Sequence, residues 1–145
     1  ECRIEESSGL PKLDSYTCKL ASGRARLTPA RDAQGKAVFG AYRELTSFWM
    51  GDHYPRRRDK WGDLEITVPA DRIPDGKVKH VKLALSVDQA GMPTDCAPTK
   101  HEPEVQIAQL ACPPAMASLR LLPVYDDRRT YVPSVQNVTI SVSPR

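Results

Sequence analysis

The chain has 145 residues, including 13 Pro and 8 Gly, a length that fits one ordinary domain or two very small ones with short elements. Its 40% hydrophobic and 27% charged residues are typical of a folded globular chain and argue against wholesale disorder, long coiled coils and solenoids. The net charge of +3 is far from a nucleic-acid-binding balance, and no run approaches the roughly 18 apolar residues of a membrane-spanning helix. The start at Glu1, without an initiator Met or a leader, predicts a processed or trimmed product.

The first predicted unit covers residues 1–49. It opens with a strand remnant at Cys2–Ile4, followed by a helix from about Pro11 to Leu20 with apolar residues three to four apart on one side. A polar turn at 31–36 leads to a closing strand from Val38 to Trp49. The apolar side of the helix consists of Leu13, Tyr16, Thr17 and Leu20. The unit lacks a leading strand, so we expect its sheet to have an open edge.

A connector follows at residues 50–75. Its basic run could contact phosphate, an anionic glycan or another anionic envelope component, or an acidic partner, although a solvated linker is the favoured interpretation. The residues of this basic patch are Arg56, Arg57, Arg58 and Lys60. Leu64–Val68 alternates as an additional strand that could pair with either sheet.

The second predicted unit covers residues 76–145. Val81–Val87 alternates as a strand, turns at Asp88–Gly91 and returns as an antiparallel strand that carries Cys96. A short helix follows to Cys112, where two prolines should stop it. A last strand at Val138–Val142 completes the order β-β-α-β.

The four cysteines allow three pairings, and their spacing favours one of them. Cys2 and Cys18 are 16 residues apart, and so are Cys96 and Cys112. Zinc is the main rival interpretation, but the short steps between ligands that structural zinc sites use are missing here. We therefore predict two local disulfides, Cys2–Cys18 and Cys96–Cys112, and hence an oxidising compartment such as the periplasm or the exterior.

An internal repeat accompanies this spacing. A shift of 94 residues places Cys2 on Cys96 and Cys18 on Cys112. It also places Arg26-Leu27-Thr28-Pro29 on Arg120-Leu121-Leu122-Pro123, and matches Asp32 with Asp126 and Val38 with Val132. The repeat predicts two homologous units in which Leu27 and Leu121 occupy equivalent core positions. The predicted fold class is α+β, with two tandem β-β-α-β units that each have an antiparallel sheet, one helix packed on it and one disulfide.

These residues resemble a known family. The order of Cys2, Ser7-Ser8-Gly9, Leu13-Asp14, Cys18, Arg24 to Ala30, Asp32, Gly35 and Val38 is similar to the disulfide-bearing branch of the TonB C-terminal domain family. The second unit supplies that family's opening at Val87-Asp88 and Gly91, followed by Cys96, Cys112, Arg120, Pro123 and Asp126. The resemblance implies a cell-envelope protein, of bacterial origin, that offers a sheet edge to an extended partner peptide.

Catalytic and metal chemistry finds little support. His53, His80 and His101 are scattered without a second ligand at metal spacing, so each is interpreted as a surface imidazole. Neither a nucleophile elbow nor a phosphate-binding glycine loop occurs. We therefore predict that the protein is not an enzyme and uses neither a metal nor a cofactor.

Two function hypotheses follow. The first is a binding module that engages a protein partner by strand addition at a sheet edge. The second is a structural subunit of an extracellular fibre, in which a neighbouring chain donates the missing strand. The candidate edge residues are Arg3, Ile4, Leu45, Phe48, Val138, Ile140 and Val142.

Overall fold

In the computed structural model of the protein, residues 1–32, 34–43, 46, 48 and 62–145 are described. The chain divides into two compact units, an N-terminal unit of Glu1–Thr28 with Leu45–Met50 and a C-terminal unit of Pro29–Glu44 with Gly51–Arg145. The boundary differs from the predicted one, because the closing strand expected in the first unit and the strand expected in the connector both pair within the C-terminal sheet.

The N-terminal unit contains one helix, α1, at Pro11–Arg24. Pro11 suits the first turn of a helix because its fixed φ is helical and its missing N–H would have had no partner there. The disulfide Cys2–Cys18 ties the preceding segment to α1, with a Cα–Cα distance of 5.4 Å. Residues 2–4 do not form the predicted strand, which needs a neighbour for its hydrogen bonds.

The C-terminal unit is built on one sheet. Its described strands are β1 (Ala30–Arg31), β2 (Ala37–Ala41), β3 (Leu64–Val68), β4 (Lys79–Val87), β5 (Pro93–Pro98) and β8 (Ser134–Pro144). The order is β1-β2-β8-β4-β5, and β3 also pairs with β8. β8 runs antiparallel to β4. On the other side of β8, β2 pairs in parallel with residues 134–136 and β3 pairs in parallel with residues 140–144. Outside this sheet, β6 (Val124–Tyr125) and β7 (Tyr131–Val132) form a small hairpin.

The core lies where α2, at Val105–Ser118, covers one face of β4 and β8. The alternation predicted for the two strands is observed, because every second residue of β4 from Val81 to Val87 is buried. Full burial of each large aliphatic side chain contributes about 1.5–3 kcal/mol. The core residues are Val68, Ile73, Val81, Leu83, Leu85, Val87, Ile107, Ala108, Ala111, Ala115, Leu119, Leu121, Val138, Ile140 and Val142.

The second helix is longer than predicted, because α2 continues through Pro113 and Pro114 to Ser118. Each proline removes one helical hydrogen bond, but the carbonyl groups that lose it belong to exposed residues and can bond to water. Beyond the prolines Ala115 is fully buried and Met116 packs against the core, which holds the last turn in place.

The sequence repeat has a counterpart in the local structure. A shift of 94 residues carries both ends of α1 onto both ends of α2, and β1 onto β6. The turns that follow also match: Asp32 N–H donates to Lys36 O at 3.0 Å, and Asp126 N–H donates to Thr130 O at 3.0 Å. In each turn the aspartate Oδ1 accepts two backbone N–H groups at 2.9–3.0 Å.

The predicted α+β class and both disulfides are confirmed, with two helices, a largely antiparallel sheet and the pairs Cys2–Cys18 and Cys96–Cys112. The expected core equivalence is wrong, since Leu27 is 66% exposed and Leu121 is 7% exposed. Leu121 is covered by the β4–β5 turn, where its N–H donates to Gly91 O at 2.9 Å.

Candidate strand-binding site

The last strand is not the expected binding edge. Val138, Ile140 and Val142 lie in β8, which has β4 on one side and β2 or β3 on the other. Ile140 is in register with Val81 of β4 and with Leu64 of β3, so neither side of β8 is open there. The alternating pattern located the strand correctly, but a buried central strand cannot accept another chain.

The other proposed edge residues have different positions. Arg3 and Ile4 lie in a segment without strand structure, and Ile4 is 36% exposed. Phe48 is exposed and lies outside the strands, while Leu45 falls outside the described residues. Among the described residues of the predicted closing strand, those up to Ala41 belong to β2, which pairs with β8 in the C-terminal unit.

The two helices differ in burial although they occupy the same repeat positions. Ile107, Ala108, Ala111 and Ala115 of α2 are buried, and α2 packs on β3, β4, β5 and β8. No residue of α1 is buried. The α1 residues at the four equivalent positions are Leu13, Asp14, Thr17 and Ala21, of which the first three are half-buried and the last is exposed.

A hydrogen-bonded cluster holds the segment before α1 on the helix. Asp14 accepts hydrogen bonds from Ser7 Oγ at 2.6 Å and from Ser8 Oγ at 2.7 Å, and also from the Ser8 backbone N–H. The hydroxyl of Ser7, followed by the groups of Ser8, holds the pKa of the Asp14 carboxyl below its usual value. The motif of two serines and an aspartate therefore stabilises the helix start, and Asp14 places a charge where the second copy has a core alanine.

An open groove of about 580 Å³ lies beside the start of α2. At its rim Lys79 Nζ bonds to Asp75 Oδ2 at 2.7 Å and to Glu104 Oε1 at 3.2 Å. The hydrogen bond with Lys79 lowers the pKa of Asp75, and that with Asp75, followed by Glu104, raises the pKa of Lys79. Arg72 also lines the groove, so the two cations and two carboxylates balance and leave no excess charge for a ligand to pair with.

The buried Glu102 ties the start of α2 to the sheet. Its carboxylate accepts the Lys82 N–H at 2.6 Å and the Glu104 N–H at 3.0 Å. Sequence patterns did not identify this residue, because a glutamate before a helix usually lies in solvent.

Reactive side chains are not assembled in the described part of the chain. His80 Nδ1 lies 3.1 Å from Ser141 Oγ across β4 and β8, but Ser141 is 7% exposed and Gly62 closely covers it. His101 lies in an exposed turn, and residues 53, 56–58 and 60 fall outside the described ranges. Among the described residues no group of three or more His, Cys, Asp or Glu could hold a metal ion. Neither described helix has the length and apolar character needed to cross a bilayer.

Comparison with protein-family models, with curated proteins and with solved structures found no match to this chain. The resemblance to the TonB C-terminal domain family therefore stays a prediction.

Proposed function

We propose that the chain is a non-enzymatic binding module of the bacterial cell envelope or exterior, and that its N-terminal unit takes up an extended segment of a protein partner as a strand. The two disulfides suit an oxidising compartment. The observation that carries the proposal is the contrast between two helices at equivalent repeat positions, one packed on a sheet and one without a buried residue.

The second repeat copy supplies a template for the partner. In that copy the helix face is covered by β4, a nine-residue strand whose apolar side chains alternate from Val81 to Val87. β4 pairs with β5, the strand that carries Cys96, and Cys2 is the repeat equivalent of that cysteine. A partner segment with alternating apolar residues would lie beside the Cys2 segment and against α1, as β4 lies beside β5 and against α2.

A peptide with the β4 sequence, residues 79–87, is a direct probe. We expect it to bind the intact oxidised chain and to shift the amide NMR signals of Leu13 and Thr17. A scrambled peptide of the same composition lacks the alternation and should bind at least tenfold more weakly.

Matched helix variants locate the site. Leu13→Asp places a charge on the half-buried apolar side of α1 and should abolish peptide binding, whereas Ser15→Asp places the same charge at an exposed position of that helix and should not. Equal binding by both variants, or shifts confined to the C-terminal unit, would contradict the proposal.

The second candidate function is an assembly subunit whose missing strand comes from a neighbouring copy. One observation favours it: Leu64–Val68, the segment of this chain that could have folded back across the first repeat copy, is used as β3 beside β8. Sedimentation of the natural material separates the two functions. A binding module should sediment as a small discrete species, and an assembly subunit as a polymer.

A further inference from the structure

The outer edge of β5 is a second surface at which strands could pair. β5 pairs with β4 on one side and has no other neighbour among the described strands. Unpaired edges are templates for another chain. We infer that Asp95 and Pro98 hold this edge closed, and that without them the C-terminal unit pairs through β5 with a second copy of this chain. This inference does not rest on the proposed function of the N-terminal unit.

The direction of the backbone groups follows from the register. Thr99 N–H donates to Lys82 O at 3.1 Å, so these two residues form a hydrogen-bonded pair. Such pairs alternate with non-bonded pairs along an antiparallel ladder. Pro98 and Cys96, which lie opposite Leu83 and Leu85, are therefore in non-bonded pairs, and their backbone groups point away from β4 towards the open edge.

Both of these positions lack a donor for an incoming strand. Pro98 has no N–H, and the Cys96 N–H donates to Asp95 Oδ1 at 2.9 Å. In a symmetric antiparallel pair of β5 strands centred on residue 95, the exposed Asp95 carboxylates of the two copies would also lie opposite each other and repel. Pairing at this edge is thus disfavoured because two backbone donors are lacking and because Asp95 carries a charge.

The closure differs between the repeat copies. Ile4, which keeps its N–H, stands at the position of Pro98, and Glu1 stands at the position of Asp95. The loss of a backbone donor through a proline therefore occurs in the C-terminal unit and not at the equivalent position of the first repeat copy.

The test compares the full oxidised chain with Asp95→Ala/Pro98→Ala by sedimentation over a wide concentration range. Each chain also carries Leu13→Asp, which removes association through α1. The Asp95→Ala/Pro98→Ala chain should dimerise at a concentration at least tenfold lower than the parent, since each copy regains two donors and even one hydrogen bond per copy is worth about that factor. Its Cys96 amide should become more protected from hydrogen exchange as the concentration rises.

The control is Asp95→Asn/Pro98→Ala. Its amide oxygen still accepts the Cys96 N–H, so this chain should dimerise more weakly than the alanine version. Disulfide mapping and circular dichroism verify that each variant is folded. An alanine version that is folded and has the mass distribution of the parent throughout would overturn the inference. Equal association of the asparagine and alanine versions would show that the Asp95 hydrogen bond does not close the edge.

Discussion

The two disulfides close loops of equal length but should differ in their effect on the C-terminal sheet. Each joins cysteines 16 residues apart, and a loop of about 15 residues contributes about 3 kcal/mol by restricting the unfolded chain. Cys96 and Cys112 pack against the core, so Cys96→Ser/Cys112→Ser also places hydroxyl groups beside apolar side chains. We expect this variant to lower the free energy of unfolding of the sheet by about 3–4 kcal/mol.

Cys2→Ser/Cys18→Ser is the matched control. It opens a loop of the same length, but this loop ends on α1, which has no buried residue. In this variant the free energy of unfolding of the sheet should change by less than about 0.5 kcal/mol. Urea-dependent hydrogen exchange at the amides of Val81 and Ile140 reports the sheet alone. Equal losses in the two variants, or no loss in Cys96→Ser/Cys112→Ser, would refute this reasoning.

Two further predictions concern a turn and a helix start. Arg129 has φ +59° at the turn position that Gly35 occupies with φ +79° in the first repeat copy. Because a side chain is disfavoured at such a φ, Gly35→Arg should lower the free energy of unfolding by about 1–2 kcal/mol, measured by urea denaturation. Arg129→Gly should give a gain of up to about 1 kcal/mol, because the freedom of Gly in the unfolded chain offsets part of the relief; a loss would contradict it. The lowered pKa of Asp14 means that its contribution to α1 is fully present above the ordinary value of 3.8 and is lost as the pH falls below it through the folded-state pKa. An NMR titration of the Ser8 amide should show this transition in the parent and not in Asp14→Asn; a transition that persists in the variant would assign it to another group.

Local features of this fold could be predicted from the sequence because they depend on nearby residues. The equal spacing of the cysteines predicted both disulfides, and the alternation at Val81–Val87 and at Leu64–Val68 predicted β4 and β3. The turn at Asp32 is likewise set within five residues, by a carboxylate that accepts the N–H groups of its own turn.

Features that depend on distant neighbours could not be predicted. The alternation at Val138–Val142 is the same for an edge strand and for a central one, so the pattern could not show that β8 has partners on both sides. Residues 2–4 illustrate the converse, since they carry the predicted strand pattern but do not form a strand. The prolines at both ends of β5 were a usable signal of an edge, because proline is confined to such positions in sheets.

The place of β8 in the sheet also bears on how the protein is made. Synthesis proceeds from the N-terminus, so β2, β3 and β4 all exist before β8, the strand with which each of them pairs. The sheet therefore cannot close until residues 134–144 have been made, and the apolar side of β4 is exposed to aggregation in that interval. Cys96 and Cys112 both precede β8, and their disulfide joins α2 to the β4–β5 hairpin. An oxidising folding environment would thus shield one face of β4 before the central strand is in place.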